Sequence, residues 1–210
     1  MRGNADATSV STGVLCLHGS PRAGGNTDIL LDAVAASVSA VGGRTRHVYC
    51  RDLEVRPCTG CGACSTTGLC VIRDDMANVY AAMDGATAVV LGSPVYFLGV
   101  PSVCKGVIDR FQPYWARRFV LGYLPGTLRP GALVSTAGAP SHSVFSGAQR
   151  TVEALFEVTD ITCKANLFYE GIDARGAIAE HPTALDEARA LGRRLGALPS
   201  SPHETDLTTG

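Results

Sequence analysis

Aromatic residues make up only 6% of this chain and charged residues only 18%, and 18 Lys and Arg against 19 Asp and Glu leave a formal net charge of -1. A chain so close to neutral offers no basic field to nucleic acid and no polybasic face to an anionic membrane, so neither is expected as a partner. No apolar run reaches the length of a membrane span. Residues 1–12 contain one arginine and no hydrophobic centre, so they do not read as a secretory signal, and the expected compartment is the cytoplasm. Residues 1–12 and 199–210 read as loose tails around one domain spanning 13–198. What the chain does have is 210 residues that are 46% hydrophobic, enough for one substantial core, together with 24 glycines and eight cysteines.

The most informative stretch is Gly19-Ser20-Pro21-Arg22-Ala23-Gly24-Gly25-Asn26-Thr27. An apolar run of strand length, Val14 to His18, precedes it. Leu30, Val34, Val38 and Val41 follow at helical spacing until Gly42-Gly43. A polar loop between a strand and a helix offers an anion unpaired backbone N–H groups and the positive end of the helix dipole. Ser20, Asn26 and Thr27 add side-chain donors and Arg22 a planar cation. Gly24 and Gly25 let the backbone approach a ligand closely. The pattern matches neither G-x-G-x-x-G nor G-x-x-x-x-G-K-[ST]. It suits a phosphomonoester better, the alternative being an ordinary turn whose polar residues only cap the helix.

Further strands are expected at 44–50, 86–91, 132–135 and 161–169, each separated from the next by a helical pattern, which predicts a parallel, doubly wound α/β sheet. The first, third and fourth strands are continuously apolar, as buried central strands are, and the second and fifth are mixed, as edges are. The expected order is therefore 2-1-3-4-5, the flavodoxin-like arrangement, with ligands beyond the carboxyl ends of the strands. The loops leaving those ends are expected to converge: the 19–27 loop, the cysteine-rich segment 57–70, residues 94–97 and residues 136–140. Residues 111–131 read as irregular. In the fifth strand, Cys163, Ala165, Leu167 and Tyr169 are expected on one face.

Four of the eight cysteines crowd into Cys58-x2-Cys61-x2-Cys64-x5-Cys70, which points to a metal or redox site. Cys16, Cys50, Cys104 and Cys163 are scattered and read as small buried hydrophobes.

Gly19-Ser20-Pro21-Arg22 with Gly25-Asn26-Thr27, then Gly92-Ser93-Pro94-Val95-Tyr96-Phe97, then Lys105 and Ile108-Asp109-Arg110 resemble the NADPH-dependent FMN reductase family of the flavodoxin superfamily. The cysteine segment followed by Asp74-Asp75-Met76 is similar to its iron–sulfur flavoprotein branch. The resemblance covers roughly residues 13 to 170 in the expected order. It implies bound FMN, NAD(P)H as co-substrate, and a homodimer or homotetramer. The electrons would pass to a small acceptor such as a quinone, flavin, azo or nitro compound. Carried over, Ser20, Arg22, Gly25, Asn26 and Thr27 would surround the FMN phosphate. Pro94, Val95, Tyr96 and Phe97 would lie along the isoalloxazine, with Thr136, Ala137 and Gly138 closing the other side. Flavin chemistry explains why no Ser-His-Asp set or carboxylate pair stands out. No catalytic residue is assigned: His142 is either a proton donor or a solvated loop residue. Arg117 and Arg118 would meet nicotinamide phosphates or belong to a surface or interface. Cys58, Cys61, Cys64 and Cys70 would ligate a [4Fe-4S] cluster, with redox thiols or an empty loop next and tetrathiolate zinc last. The competing class is a non-enzymatic electron carrier serving a protein partner, for which an acidic docking surface is lacking.

Overall fold

The computed structural model describes residues 13–198, so the tails expected at 1–12 and 199–210 lie outside the described residues. Five parallel strands, β1 (Gly13–His18), β2 (Thr45–Tyr49), β3 (Ala86–Pro94), β4 (Arg129–Thr136) and β5 (Ile161–Tyr169), form one sheet in the order 2-1-3-4-5. The helices are α1 (Asn26–Ala40), α2 (Cys64–Thr67), α3 (Met76–Asp84), α4 (Ser102–Asp109), α5 (Gln112–Phe119), α6 (Ser146–Val158) and α7 (Ala184–Gly196).

Both faces of the sheet are covered, which is why the central strands are apolar at consecutive positions. On one face Val14, Cys16, Val90 and Val134 meet α1 and α7 through Leu30, Leu31, Val34 and Leu191. On the other, Leu15, Leu17, Leu91 and Leu133 meet Met76, Met83, Val107 and Phe156 from the helices opposite and Phe111 from the junction of α4 and α5. Each fully buried Leu or Phe contributes about 1.5–3 kcal/mol of transfer free energy. The α1–α7 approach is close enough that a Cβ on Gly192 would stand 2.3 Å from the Val34 carbonyl oxygen, so this position requires glycine. Among the described residues, no helix is long and apolar enough to cross a membrane.

Three sequence expectations are corrected. Residues 112–119, read as irregular, form α5; Pro113 lies in its first turn, where a missing N–H costs nothing, and Pro113, Tyr114 and Ala116 are buried. The alternation of β5 breaks at Lys164, where the register with β4 shifts. Cys163 therefore packs on the α6 face, while Ala165, Leu167 and Tyr169 face α1 and α7. Val41 lies one residue beyond α1 and is exposed.

Candidate functional site

The loop after β1 is built to leave amides free. Gly25 precedes α1 without a capping side chain, and the helix's first i→i−4 bond runs from Ile29 N–H to Gly25 O at 3.1 Å. The amides of Asn26, Thr27 and Asp28 are thus the orphan donors of a 15-residue helix. Ser20 is buried, its Oγ accepting from the Arg22 amide at 3.1 Å, which curls the loop. Arg22 is exposed at the rim and donates to the Asp173 carbonyl at 3.4 Å. Asn26 has a partly structural role: Nδ2 donates to Ala174 O at 2.9 Å and Oδ1 accepts from the Ile178 amide at 3.3 Å, tying the loop to the segment after β5.

Two residues that sequence reasoning passed over hold this loop. Asp28, which reads as an ordinary helix-start acid, is buried. One of its oxygens accepts from His18 Nδ1 at 2.7 Å; the other accepts from the Gly24 amide and from Arg51, both at 2.9 Å. Burial pushes its carboxyl up, but the His18 hydrogen bond, the Arg51 guanidinium and the Gly24 amide outweigh that and hold it below the usual range. Arg175 donates to the Ala23 and Gly24 carbonyls from the far side. No sequence signal marks Arg175, because it reaches the loop only through the fold.

Ser20, Arg22, Gly25, Asn26, Thr27, Pro94, Val95, Tyr96, Thr136, Ala137 and Gly138 line one cleft, joined by Ile172 and Asp173 from the loop after β5. Eleven of the twelve flavin-contact residues expected from sequence are thereby brought together. Phe97 is not. The Tyr96–Gly99 turn closes with reciprocal backbone bonds of 2.8 and 3.0 Å, and Phe97 and Leu98 at its tip have φ of 48° and 63°. That left-handed pair throws Phe97 outward, where it is fully exposed at 105%. The cleft encloses about 60 Å³, well short of the roughly 300–1,000 Å³ of an enclosed small-molecule site. One chain therefore encloses a phosphate-sized end and leaves the rest open.

The cysteine segment does not join that cleft, contrary to the expected convergence of all four loops. Cys58, Cys61, Cys64 and Cys70 line a separate cavity of about 480 Å³ with Ile72, Arg110 and Trp115. Gly60 and Gly62 take φ of 65° and 76°, left-handed values that let the backbone turn between successive cysteines. Cys58 and Cys61 are exposed, Cys64 and Cys70 half-buried. Burial pushes the Cys64 thiol up, and the other three cysteines add to this. Among the described residues, no three of these sulfurs lie within 4.8 Å of one another. Tetrahedral zinc, with Zn–S near 2.3 Å, would need them about 3.8 Å apart.

Arg110 closes this loop. Its side chain is fully buried and pairs with Asp74 through two bonds of 2.6 and 3.1 Å. It also donates to the carbonyls of Arg56 at 2.7 Å and Ile72 at 3.4 Å, residues on either side of the cysteines, and to Cys70 Sγ at 3.5 Å. Its Nε is buried and has no partner. Asp74 additionally accepts from the Arg56 and Met76 amides. Burial raises its carboxyl, and these hydrogen bonds, Arg110's foremost, more than reverse that.

The remaining candidates, Arg117, Arg118 and His142, lie outside the cleft. Arg117 donates to Gly68 O at 2.8 Å and lies over the Tyr114 ring, supporting the end of α2. Arg118 pairs with Asp160 at 2.9 Å. Neither lines the cleft of Ser20, Thr27 and Thr136. His142 is 72% exposed beside Glu170, at 3.4 Å, and is likewise outside the cleft.

The model of the NADPH-dependent FMN reductase family matches residues 12–168. An iron-sulfur flavoprotein of Methanocaldococcus jannaschii is 38% identical over 188 residues, 87% of this chain and 94% of that one. One from Archaeoglobus fulgidus is 38% identical over 110 residues, 52% of this chain and only 50% of that one. Among solved structures, a flavone reductase superposes with a TM-score of 0.65 at 16% identity, covering 88% of this chain and 62% of that one, a likeness of fold. With the family's span matched over residues 12–168 of the 2-1-3-4-5 sheet, this chain belongs to the NADPH-dependent FMN reductase family.

Proposed function

We propose that the chain is an FMN-dependent oxidoreductase that takes electrons from NADH or NADPH and delivers them to a small acceptor such as a quinone. The cysteine loop would hold a [4Fe-4S] cluster. The observation that carries the flavin site is the uncapped start of α1 opening into a phosphate-sized cavity lined by Ser20, Thr27 and Thr136. A terminal phosphomonoester fits that end. It would accept from the Asn26, Thr27 and Asp28 amides and meet Arg22 at the rim, while the Arg51 charge and the His18 N–H offset the Asp28 carboxylate so that it does not repel the anion. Bound FMN supplies hydride acceptance and single-electron release, and a cluster supplies single-electron transfer. Pro94, Val95 and Tyr96 would orient the ring along the open part of the cleft, with Thr136, Ala137 and Gly138 opposite.

The cysteine loop fits a cluster better than zinc, because a cubane spreads its four thiolates over separate iron corners whereas one zinc ion draws them together. Arg110 would donate to the Cys70 thiolate and exclude water from that side. The exposed rim of Tyr96, Phe97 and Leu98 is the surface a second copy would cover, in keeping with a homodimer or homotetramer.

Catalytic turnover tests the enzyme reading. The purified protein, mixed with NADH or NADPH and a soluble quinone, should cycle its flavin and consume the nicotinamide continuously. If neither nicotinamide reduces the flavin while a reduced ferredoxin-type protein does, the carrier reading replaces it.

A further inference from the structure

We propose that His18, His47 and Asp32 form a binding site for a divalent first-row transition metal of the zinc class, behind the phosphate loop and separate from the cysteines. His18 ends β1, His47 sits mid-strand in β2, and Asp32 lies one helical turn beyond Asp28 in α1. One donor atom from each lies within 4.8 Å of the other two. His18 Nε2 and His47 Nδ1 are 2.9 Å apart. Two imidazole nitrogens on tetrahedral zinc, each at about 2.0–2.1 Å, are separated by about 3.3 Å, so little movement would admit the ion.

The surroundings resemble a built site. Ionised Asp28 only accepts, so the bond at 2.7 Å places a proton on His18 Nδ1 and leaves the Nε2 lone pair aimed at His47. A carboxylate holding the distal N–H of a ligating histidine is the usual support of a metal-bound imidazole. Arg51 and the Gly24 amide occupy the other Asp28 oxygen, keeping that carboxylate a support rather than a ligand. The Tyr49 ring packs tilted against the His18 ring, their centroids 4.1 Å apart. Without metal, His47 Nδ1–H donates to His18 Nε2; moving that proton to His47 Nε2 frees Nδ1 for the ion. His18 is buried, His47 half-buried and Asp32 exposed, which leaves an open side for entry and for water as a fourth ligand. Two imidazoles and a carboxylate favour zinc, cobalt, nickel or iron over magnesium or calcium.

The test uses the full FMN-loaded chain carrying Cys58→Ser, Cys61→Ser, Cys64→Ser and Cys70→Ser, so that no clustered thiolate competes. After exposure to zinc and gel filtration it should retain about one zinc per chain. Cobalt(II) in its place should give a nitrogen/oxygen-type spectrum without thiolate charge transfer. A supporting carboxylate alone is worth about 10–100-fold in affinity, so removing a ligand with His47→Ala or Asp32→Asn should weaken zinc by about a hundredfold or more. FMN content should not change. Absence of retained zinc, or retention undiminished in both variants, would overturn the site. If the four-serine chain does not fold, cobalt titration of the parent and of His47→Ala with cysteines intact decides. Loss of the nitrogen/oxygen bands with unchanged thiolate bands supports the site, and identical spectra refute it.

Discussion

Arg110→Met is the most revealing single change in the cysteine region. It removes a fully buried guanidinium and leaves Asp74, only 6% exposed, without its charge partner. It also frees the carbonyls of Arg56 and Ile72 that frame the cysteines. Removing one member of a buried ion pair typically costs about 3–5 kcal/mol. The surviving Arg56 and Met76 amides on Asp74 keep the loss within that range. A domain stable by more than about 5 kcal/mol would stay folded, with its Tm lowered by about 6–20 °C. Urea denaturation of the parent, Arg110→Met, Asp74→Asn and the double variant isolates the pair. Coupling of about 2–3 kcal/mol is expected, the double variant losing much less than the sum. Costs that add to within about 0.5 kcal/mol would show that Arg110 acts through packing alone and refute the ion-pair account.

Other outcomes follow from the same geometry. Arg22→Ala should weaken FMN on the order of tenfold in an equilibrium titration and leave riboflavin nearly unchanged, since it removes one charge-assisted contact at an exposed position; equal losses would move the phosphate elsewhere. Asp74 ionises below its ordinary value near ~3.9, so the stability it contributes is present above that pH and lost as pH falls through its folded-state value. The stability gap between parent and Asp74→Asn should therefore narrow below about pH 4, and a gap independent of pH would contradict the assignment. Gly192→Ala forces a Cβ toward the Val34 carbonyl and should lower Tm with no change in FMN affinity, measured by thermal melting and flavin titration side by side.

The sheet order was legible because burial leaves a pattern: Val14 to Leu17 and Ala88 to Leu91 are apolar at successive positions since each strand is covered on both faces. The 19–27 loop's place in the cleft was legible because its polar residues are contiguous. What escaped depends on contacts between distant segments. Asp28 and Asp74 both look like helix-start acids, and nothing local tells that one meets His18 and Arg51 and the other Arg110. Phe97 reads as a flavin-facing aromatic, yet two consecutive left-handed residues turn it away. The Lys164 irregularity in β5 shifts the face of every residue before it relative to those after, a one-residue event that alternation alone does not register. The cysteine spacing points to a metal or redox site but not to its separation from the cleft beside Ser20 and Thr136, which the fold imposes by sending the segment toward α4 and α5.

The central claim is that one chain carries two independent cofactor sites, a flavin cleft and a thiolate loop. Protein purified without oxygen, then denatured and analysed, measures both together. The account predicts FMN rather than FAD, with iron and acid-labile sulfide in equal amounts. It also predicts that Cys61→Ser loses the iron and sulfide and keeps the FMN. Anaerobic protein that holds FMN with no iron or sulfide, or a Cys61→Ser chain that loses its flavin along with its iron, would contradict it.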